Sequence, residues 1–228
     1  MGSTGAKGIL VGGDVKREPL IGAVGDFENY IREGGKGDVE HGALYDANGE
    51  PIIGYVGDAD SVNVDDRVLN LQDGSFTHYH PDKDFGGTLS MQDLKVFADS
   101  QLKELRAVTS QGYLYKITAN KNIDRDGLRK WVNKNQKLAQ KNFESAYRSA
   151  LKAAVTPLKS GPNKGKVKLV NKKTGKATYR KPLTPKQAVA YARKYSVQMF
   201  DRMYNKALSK YGLKYTATKS QYAPTSLK

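Results

Sequence analysis

The sequence predicts an α+β protein, with a mostly antiparallel sheet and helices first and a basic, mainly helical domain after it. Short strand-like segments separated by turn residues dominate residues 36–120. Apolar residues at helical spacing dominate residues 121–228. The net charge also changes sign between these two halves, which favours two domains with different surfaces.

The first 35 residues are predicted to form a Gly-rich N-terminal arm and then a short helix over 23–31. A tight hairpin turn is indicated at Asn48-Gly49, because these residues readily adopt the positive φ angles that such turns require. A helix is predicted to begin at Ser90, ahead of apolar residues at helical spacing. Strands are predicted over 39–45, 51–56, 61–64, 68–71, 76–80, 105–109 and 113–118.

The basic half is predicted to contain two long helices around a lysine-rich segment. The first helix spans 126–155 and ends before Pro157. The second begins at Thr184, with a proline at its first helical position, and ends at Gly212. Residues 159–183 are predicted to form a basic β-hairpin or else a flexible loop, and the tail from residue 216 is predicted to be frayed.

Composition and charge narrow the class of protein. The chain has no cysteine, which excludes disulfides, thiolate zinc sites and a cysteine nucleophile, and which fits a reducing compartment. It has no run of eighteen apolar residues and no secretory signal pattern, so no membrane contact is expected. Residues 1–120 carry 11 Lys and Arg against 19 Asp and Glu, whereas residues 121–228 carry 27 against 4. The basic half is therefore a candidate for contact with nucleic acid or an acidic protein.

Two of the three histidines, His78 and His80, are separated by one residue on a predicted strand. Side chains at i and i+2 of a strand point to the same face, so both imidazoles can reach one point. Asp93 lies in the first turn of the following helix, and two imidazoles with one carboxylate can make a catalytic zinc site with an open fourth position. Two ordinary alternatives exist: the histidines could be polar residues on a solvent face, and Ser90-x-x-Asp93 is also a helix capping box.

The pattern of Glu40, His78-x-His80-Pro81 and Ser90-x-x-Asp93 resembles the JAMM (MPN+, JAB-type) metallopeptidase family. The proline after the second histidine is similar to the form in bacterial RadC-like and phage-associated members, and the segment 105–116 also resembles JAB-like domains encoded near phage head genes. The resemblance covers about residues 36–118. Nine residues separate His80 from Ser90, which is longer than the usual spacer, and the earlier Glu33 is an alternative match for the glutamate.

The resemblance implies a JAB/MPN-like fold and a Zn²⁺-dependent hydrolase of peptide or isopeptide bonds, with a protein or peptide as substrate. His78, His80 and Asp93 would be the metal ligands. Glu40 would act as general base and then general acid, and the Ser90 hydroxyl would donate to the developing oxyanion. The resemblance also implies a phage or mobile-element protein in the host cytoplasm or associated with the virion.

The lysine-rich segment is the predicted polyanion-binding region, because its lysines cluster in a Gly- and Pro-punctuated segment that cannot be buried. Its candidate residues are Lys159, Lys164, Lys166, Lys168, Lys172, Lys173, Lys176, Arg180 and Lys181. The alternative function is a non-catalytic nucleic-acid-binding or virion structural protein that retains a JAB-like scaffold. A toxin-like effector that uses the basic half for delivery is a further alternative.

Overall fold

The computed structural model describes residues 8–20, 22–32, 38–81, 88–110 and 112–219. The chain forms two compact units, the first made of Met1–Gln136 with Ala207–Lys228 and the second of Lys137–Lys206. The sequence predicts boundaries after residues 35 and 120. The structure differs because residues 213–219 return to pair with residues 113–119, and because Arg125 donates to the backbone oxygens of Phe97 and Leu102 at 2.6 and 2.7 Å.

The first unit combines helices with a mostly antiparallel sheet, which confirms the α+β class. The strands of the described chain are β1 Gly8–Val11, β2 Lys16–Glu18, β3 His41–Tyr45, β4 Pro51–Val56, β5 Ser61–Val64, β6 Ser75–His80, β7 Glu104–Thr109, β8 Tyr113–Ala119, β9 Val167–Val170, β10 Ala177–Arg180 and β11 Leu213–Lys219. The helices are α1 Val24–Arg32, α2 Arg67–Asn70, α3 Met91–Asp99, α4 Arg125–Val155 and α5 Pro185–Leu208, and a 3₁₀ turn Ser209–Tyr211 follows α5.

A seven-stranded sheet in the order β11-β8-β7-β6-β3-β4-β2 is the centre of the first unit. Its strand pairs are antiparallel except β6 and β7, so the sheet is mostly antiparallel, as predicted. The predicted strand over 51–56 is confirmed, and the other strands of the motif region agree within one or two residues.

Three local predictions are wrong. Residues 8–18 were expected to be a loose arm, but β1 pairs in parallel with β5 and β2 pairs with β4. Residues 68–71 were expected to be a strand, but one helical turn forms there, and the Asp65 carboxylate accepts the N–H of Arg67 at 3.2 Å. The tail was expected to fray from Thr216, but β11 continues to Lys219 because its backbone completes a ladder with β8.

Helix α1 covers one face of the sheet. Its Phe27 and Ile31 belong to the same buried cluster as Tyr79 of β6, and its Glu28 accepts a 3.0 Å hydrogen bond from Thr77 of the same strand. Side chains alternate along a strand. Since Thr77 and Tyr79 face α1, His78 and His80 point to the opposite face of the sheet.

The second unit contains the β9–β10 hairpin and most of the two long helices. The lysine-rich segment therefore forms the predicted hairpin. A small apolar core joins the hairpin to both helices through Ala154, Val167, Leu169 and Ala188, all of which are buried. Gly212, at φ 76°, ends the helical segment after α5 where the sequence predicted. No helix of the described chain is long and apolar enough to cross a membrane.

Candidate metal centre

The side chains His78 and His80 of β6 lie beside the N-terminus of α3. Ser90 is the N-cap of that helix, and its Oγ accepts the backbone N–H of Asp93 at 3.0 Å. In return, Oδ2 of Asp93 accepts the backbone N–H of Ser90 at 2.6 Å. The capping box is thus confirmed, and it holds the Asp93 carboxylate at the start of the helix, facing the two imidazoles.

His78, His80 and Asp93 form a compact, fully buried group that could hold a metal ion. The two histidine Nε2 atoms are 2.8 Å apart, and they lie 3.4 Å (His78) and 3.7 Å (His80) from Oδ2 of Asp93. Ligand atoms 2.0–2.1 Å from a tetrahedral Zn²⁺ are about 3.3 Å from one another. The three separations bracket this value, so one ion in the middle would contact all three atoms after small shifts.

The electrostatics of the group favour an ionised carboxylate. Burial by itself would raise the pKa of Asp93, but the neighbouring imidazoles, His78 first, and the N–H of Ile9 together hold that pKa well below its ordinary value. A carboxylate has about four acceptor positions. Two of them receive the N–H groups of Ile9 and Ser90, so the side chain is fixed and still has a free lone pair for a cation.

Strand β1 completes the surroundings of Asp93, and sequence reasoning missed it. The N–H of Ile9 donates to Oδ1 of Asp93 at 2.9 Å. The preceding Gly8 has φ +75°, and a Cβ atom there would overlap Oδ1 of Asp93 and Oγ of Ser90. The short apolar run Ile9-Leu10-Val11 is a weak strand signal, and nothing in the sequence places that strand beside residue 93.

Glu40 lies at the site as an unpaired acid. It directly precedes β3, and its backbone bonds to Gly57 and Asp58 continue the β3–β4 ladder. Gly42 pairs with His78, so the antiparallel register places Glu40 beside His80 and on the same face. The side chain is fully buried, and neither carboxylate oxygen has a hydrogen-bond partner among the described residues.

The environment of Glu40 favours its protonated form. Burial raises the pKa of Glu40 well above its ordinary value, and the negative charges of Asp93 and Asp60 raise it further. The alternative match Glu33 and the loop residues 82–87 lie outside the described residues.

The third histidine has a different role. His41 is buried, but its Nδ1 lies 3.1 Å from Oε1 of Glu18 of strand β2. It is not a member of the metal-type group that the described residues form. The sequence motif therefore selected the two histidines that converge and left out the one that does not.

The predicted polyanion-binding residues all lie in the second unit. Lys172 is half-buried, with its Nζ 5.1 Å from the centre of the Tyr195 ring, and the other eight side chains are exposed. The second unit has 18 Lys and Arg against 2 Asp and Glu, a net charge of +16, whereas the first unit has 20 against 21. The excess positive charge of the chain is thus confined to the second unit.

The first unit therefore combines two imidazoles, a fixed carboxylate, an unpaired buried acid and a hydroxyl within one small volume. This set of groups can bind a cation and can move a proton beside it. A comparison of the chain with protein-family models, with curated proteins and with solved structures finds no match.

Proposed function

We propose that the protein is a zinc-dependent hydrolase of peptide or isopeptide bonds, of JAMM type and with a JAB/MPN-like first unit. The observation that carries the proposal is the buried convergence of His78, His80 and Asp93 beside the unpaired carboxyl of Glu40. A solvated strand face would leave two histidines apart and exposed. Here both are buried, and their Nε2 atoms meet.

The residues present fit Zn²⁺ well. Two nitrogens and one carboxylate oxygen are a known catalytic zinc set that leaves one position open. A bound Zn²⁺ would supply a Lewis acid for the substrate carbonyl and would make a water molecule more acidic. Nε2 of His78, Nε2 of His80 and Oδ2 of Asp93 would be its three protein ligands.

Glu40 would be the group that moves the proton. The positive charge of a bound Zn²⁺ would favour the ionised form of Glu40. Because its oxygens have no hydrogen-bond partner among the described residues, one of them could then take a proton from the attacking water. The same oxygen would then return the proton to the leaving amine, as a general base that becomes a general acid. Burial keeps bulk water from competing for this carboxyl group.

Ser90 would stabilise the developing negative charge on the carbonyl oxygen. Its Oγ accepts the N–H of Asp93, which leaves the hydroxyl hydrogen free to donate. The capping bond fixes the direction of that hydroxyl group. A fixed donor of this kind contributes about 10²–10³ in rate.

The ligand assignment is tested by metal content. We expect one divalent metal per chain in the parent protein and a loss of that metal in His80→Ala. His41→Ala is the matched control, because it removes a buried histidine outside the group. Elemental analysis after dialysis against trace zinc measures the metal content of the parent protein and of each variant. Equal metal content in the parent and in His80→Ala would refute the metal centre.

The catalytic assignment is tested separately with Glu40→Gln. Glutamine keeps the shape of the side chain but cannot take a proton, so hydrolysis should fall by about 10²–10⁴-fold while the metal stays bound. The substrates used as probes are mixtures of internally quenched fluorogenic peptides and one isopeptide-linked substrate. Parent-level hydrolysis in this variant, or loss of its metal, contradicts the role of Glu40.

A second candidate activity is carried by the charge of the second unit. We propose that this unit binds polyanions such as nucleic acid, either beside the hydrolase or as the main role of a virion or mobile-element protein in the host cytoplasm. The supporting observation is a net charge of +16 with eight exposed basic side chains among the nine predicted residues. Counterion release makes such binding depend steeply on salt.

The test is a salt titration of duplex DNA binding by the full chain. For about 6–10 phosphate contacts, affinity should fall by about 10³–10⁵ between 50 and 200 mM salt. Binding that does not respond to salt, or no binding at low salt, would leave the charge as a solubilising surface.

A further inference from the structure

The second unit contains a cavity of about 430 Å³ between the β9–β10 hairpin and helix α5. Helix α5 contributes Tyr191, Lys194, Tyr195 and Gln198, and the hairpin contributes the end of β9, the turn with Lys176, and Thr178 of β10. This volume lies within the range of about 300–1,000 Å³ that is typical of sites for small ligands.

The charge of the cavity wall has one sign. Lys176 and Lys194 are both exposed and line the cavity, and none of the described residues that line it is acidic. The second unit has only two acidic residues, Glu144 and Asp201, and neither belongs to the wall. An anionic group that enters the cavity therefore meets two ammonium groups without a competing carboxylate.

Hydrogen bonds between the hairpin and the helix hold the wall in place. The hydroxyl of Tyr191 accepts the N–H of Val170 at 2.8 Å and donates to the backbone oxygen of the same residue at 3.2 Å. Oε1 of Gln198 accepts the N–H of Lys172 at 3.0 Å. The cavity is thus built by direct bonds between its two sides, and a ligand does not have to create it.

The aromatic part of the wall consists of Tyr191 and Tyr195, whose ring centres are 6.0 Å apart and tilted by 51°. The Lys172 ammonium lies 5.1 Å from the centre of the Tyr195 ring, so a cation already uses this π surface. Both rings are only half-buried. Proteins bind single-stranded nucleic acids with this combination of side chains, because bases stack on the aromatic rings and phosphates contact the lysines.

We propose that this cavity is a binding site for single-stranded nucleic acid, in which one base lies against Tyr195 and the adjoining phosphates meet Lys176 and Lys194. The proposal rests on the polyanion binding proposed above and assigns it a place and a substrate class. A stacked, paired base inside a duplex cannot enter a recess of this size. A strand with unpaired bases can place one of them there.

The experiment compares a fluorescent oligothymidylate strand with a duplex of the same length on the full-length protein. Tyr195→Leu should weaken strand binding by about 5–150-fold and leave duplex binding within about twofold, since one stacked base contributes about 1–3 kcal/mol. Tyr195→Phe keeps the ring and should bind as the parent does. Circular dichroism and thermal unfolding establish that both variants are folded.

Charge is tested with a matched pair of double variants. Lys176→Gln with Lys194→Gln removes two charges from the cavity wall, whereas Lys164→Gln with Lys181→Gln removes two exposed charges outside it. Both should weaken duplex binding alike, but the first should weaken strand binding more. A photoreactive bromouridine strand should also cross-link to the tryptic peptide Tyr195–Arg202.

Three results would overturn the proposal. If Tyr195→Leu binds the strand as the parent does, or if the cross-link falls outside the cavity, the site is wrong although salt-dependent duplex binding stands. If polyglutamate displaces the strand as well as free oligothymidylate does, the cavity recognises an acidic protein. If neither strand nor duplex binds at low salt, polyanion binding itself fails, which the duplex control shows separately.

Discussion

Replacing Gly8 with alanine tests whether strand β1 controls metal affinity. Gly8 has φ +75°, and Gly12, at the other end of the same strand, has φ +85°. A methyl group at either position costs about 1–2 kcal/mol, because the left-handed region is strained for residues with a Cβ atom. This backbone strain should lower the stability of the metal-free protein by a similar amount in both variants, and Gly8→Ala should lose more stability because of the overlap described next.

The two positions differ in what the methyl group meets. At Gly12 no atom lies within 4 Å of the added Cβ, whereas at Gly8 the Cβ overlaps Oδ1 of Asp93 and Oγ of Ser90. Ordinary carbon–oxygen contacts of 3.3–3.6 Å require these oxygens to move by roughly 1 Å. Metal–ligand distances deviate from their ideal values by only about 0.2 Å in a well-formed site. Gly8→Ala should thus weaken zinc binding by at least the roughly 10–100-fold typical of lost outer-shell support.

Competition with a chromogenic chelator measures the affinity, and thermal unfolding with and without Zn²⁺ gives an independent value. At a zinc concentration of about 100 Kd, the metal stabilises the parent by about 2.7 kcal/mol. For Gly8→Ala the same concentration should give about 0.4–1.4 kcal/mol, while Gly12→Ala should keep the parent value. Unchanged zinc affinity in Gly8→Ala, or an equal loss in Gly12→Ala, would refute the link between β1 and the site.

Other predictions concern Glu40, Ser90 and the ion pair beneath α1. Because the pKa of Glu40 is raised in the folded state, Glu40→Gln should raise the melting temperature of the metal-free protein at neutral pH. This gain should vanish below about pH 4.3, where the glutamate of the unfolded chain is also protonated. An equal gain at all pH values would contradict the raised pKa. Ser90→Gly should cost only a few tenths of a kcal/mol in stability, against about 0.5–2 kcal/mol for Ser90→Ala. Both variants should nevertheless lower the rate of hydrolysis by about 10²–10³-fold. A rate that falls only in the less stable variant would assign Ser90 to helix capping alone. Arg106 donates to both carboxylate oxygens of buried Glu28 at 2.6 and 2.9 Å. Arg106→Met should therefore lower the free energy of unfolding in urea by about 3–5 kcal/mol, and adding Glu28→Gln should recover much of that loss. Additive losses in the double variant would argue against the ion pair.

The fold class and the metal-type group could be predicted because each depends on a short-range pattern. The His78-x-His80 spacing fixes a common face on any strand, and the Ser90-x-x-Asp93 spacing fixes a helix start. Both features form in the structure. Their convergence depends on the pairing of strands, but only nine residues separate His80 from Ser90, so few other arrangements were open.

Features that depend on distant pairing could not be predicted. The N–H of Ile9 reaches Asp93 across 84 positions of the chain, and no local pattern encodes that contact. The polar segment after Thr216 looks like a frayed end, yet β8 offers it an open edge and a full ladder forms. Residues 68–71 read as a strand because a short apolar run fits a strand or a helical turn equally well.

The position of β11 in the sheet has a consequence for synthesis of the protein. Strand β8 ends at Ala119, but the partner that covers its edge ends at Lys219, after the whole second unit. At about 5–20 residues per second, a ribosome needs about 5–20 s to make the intervening chain. During that interval β8 is an open sheet edge, available to other nascent chains or to chaperones. The time that the ribosome takes to make residues 120–219 therefore sets the shortest period during which the first unit stays incomplete and prone to aggregation.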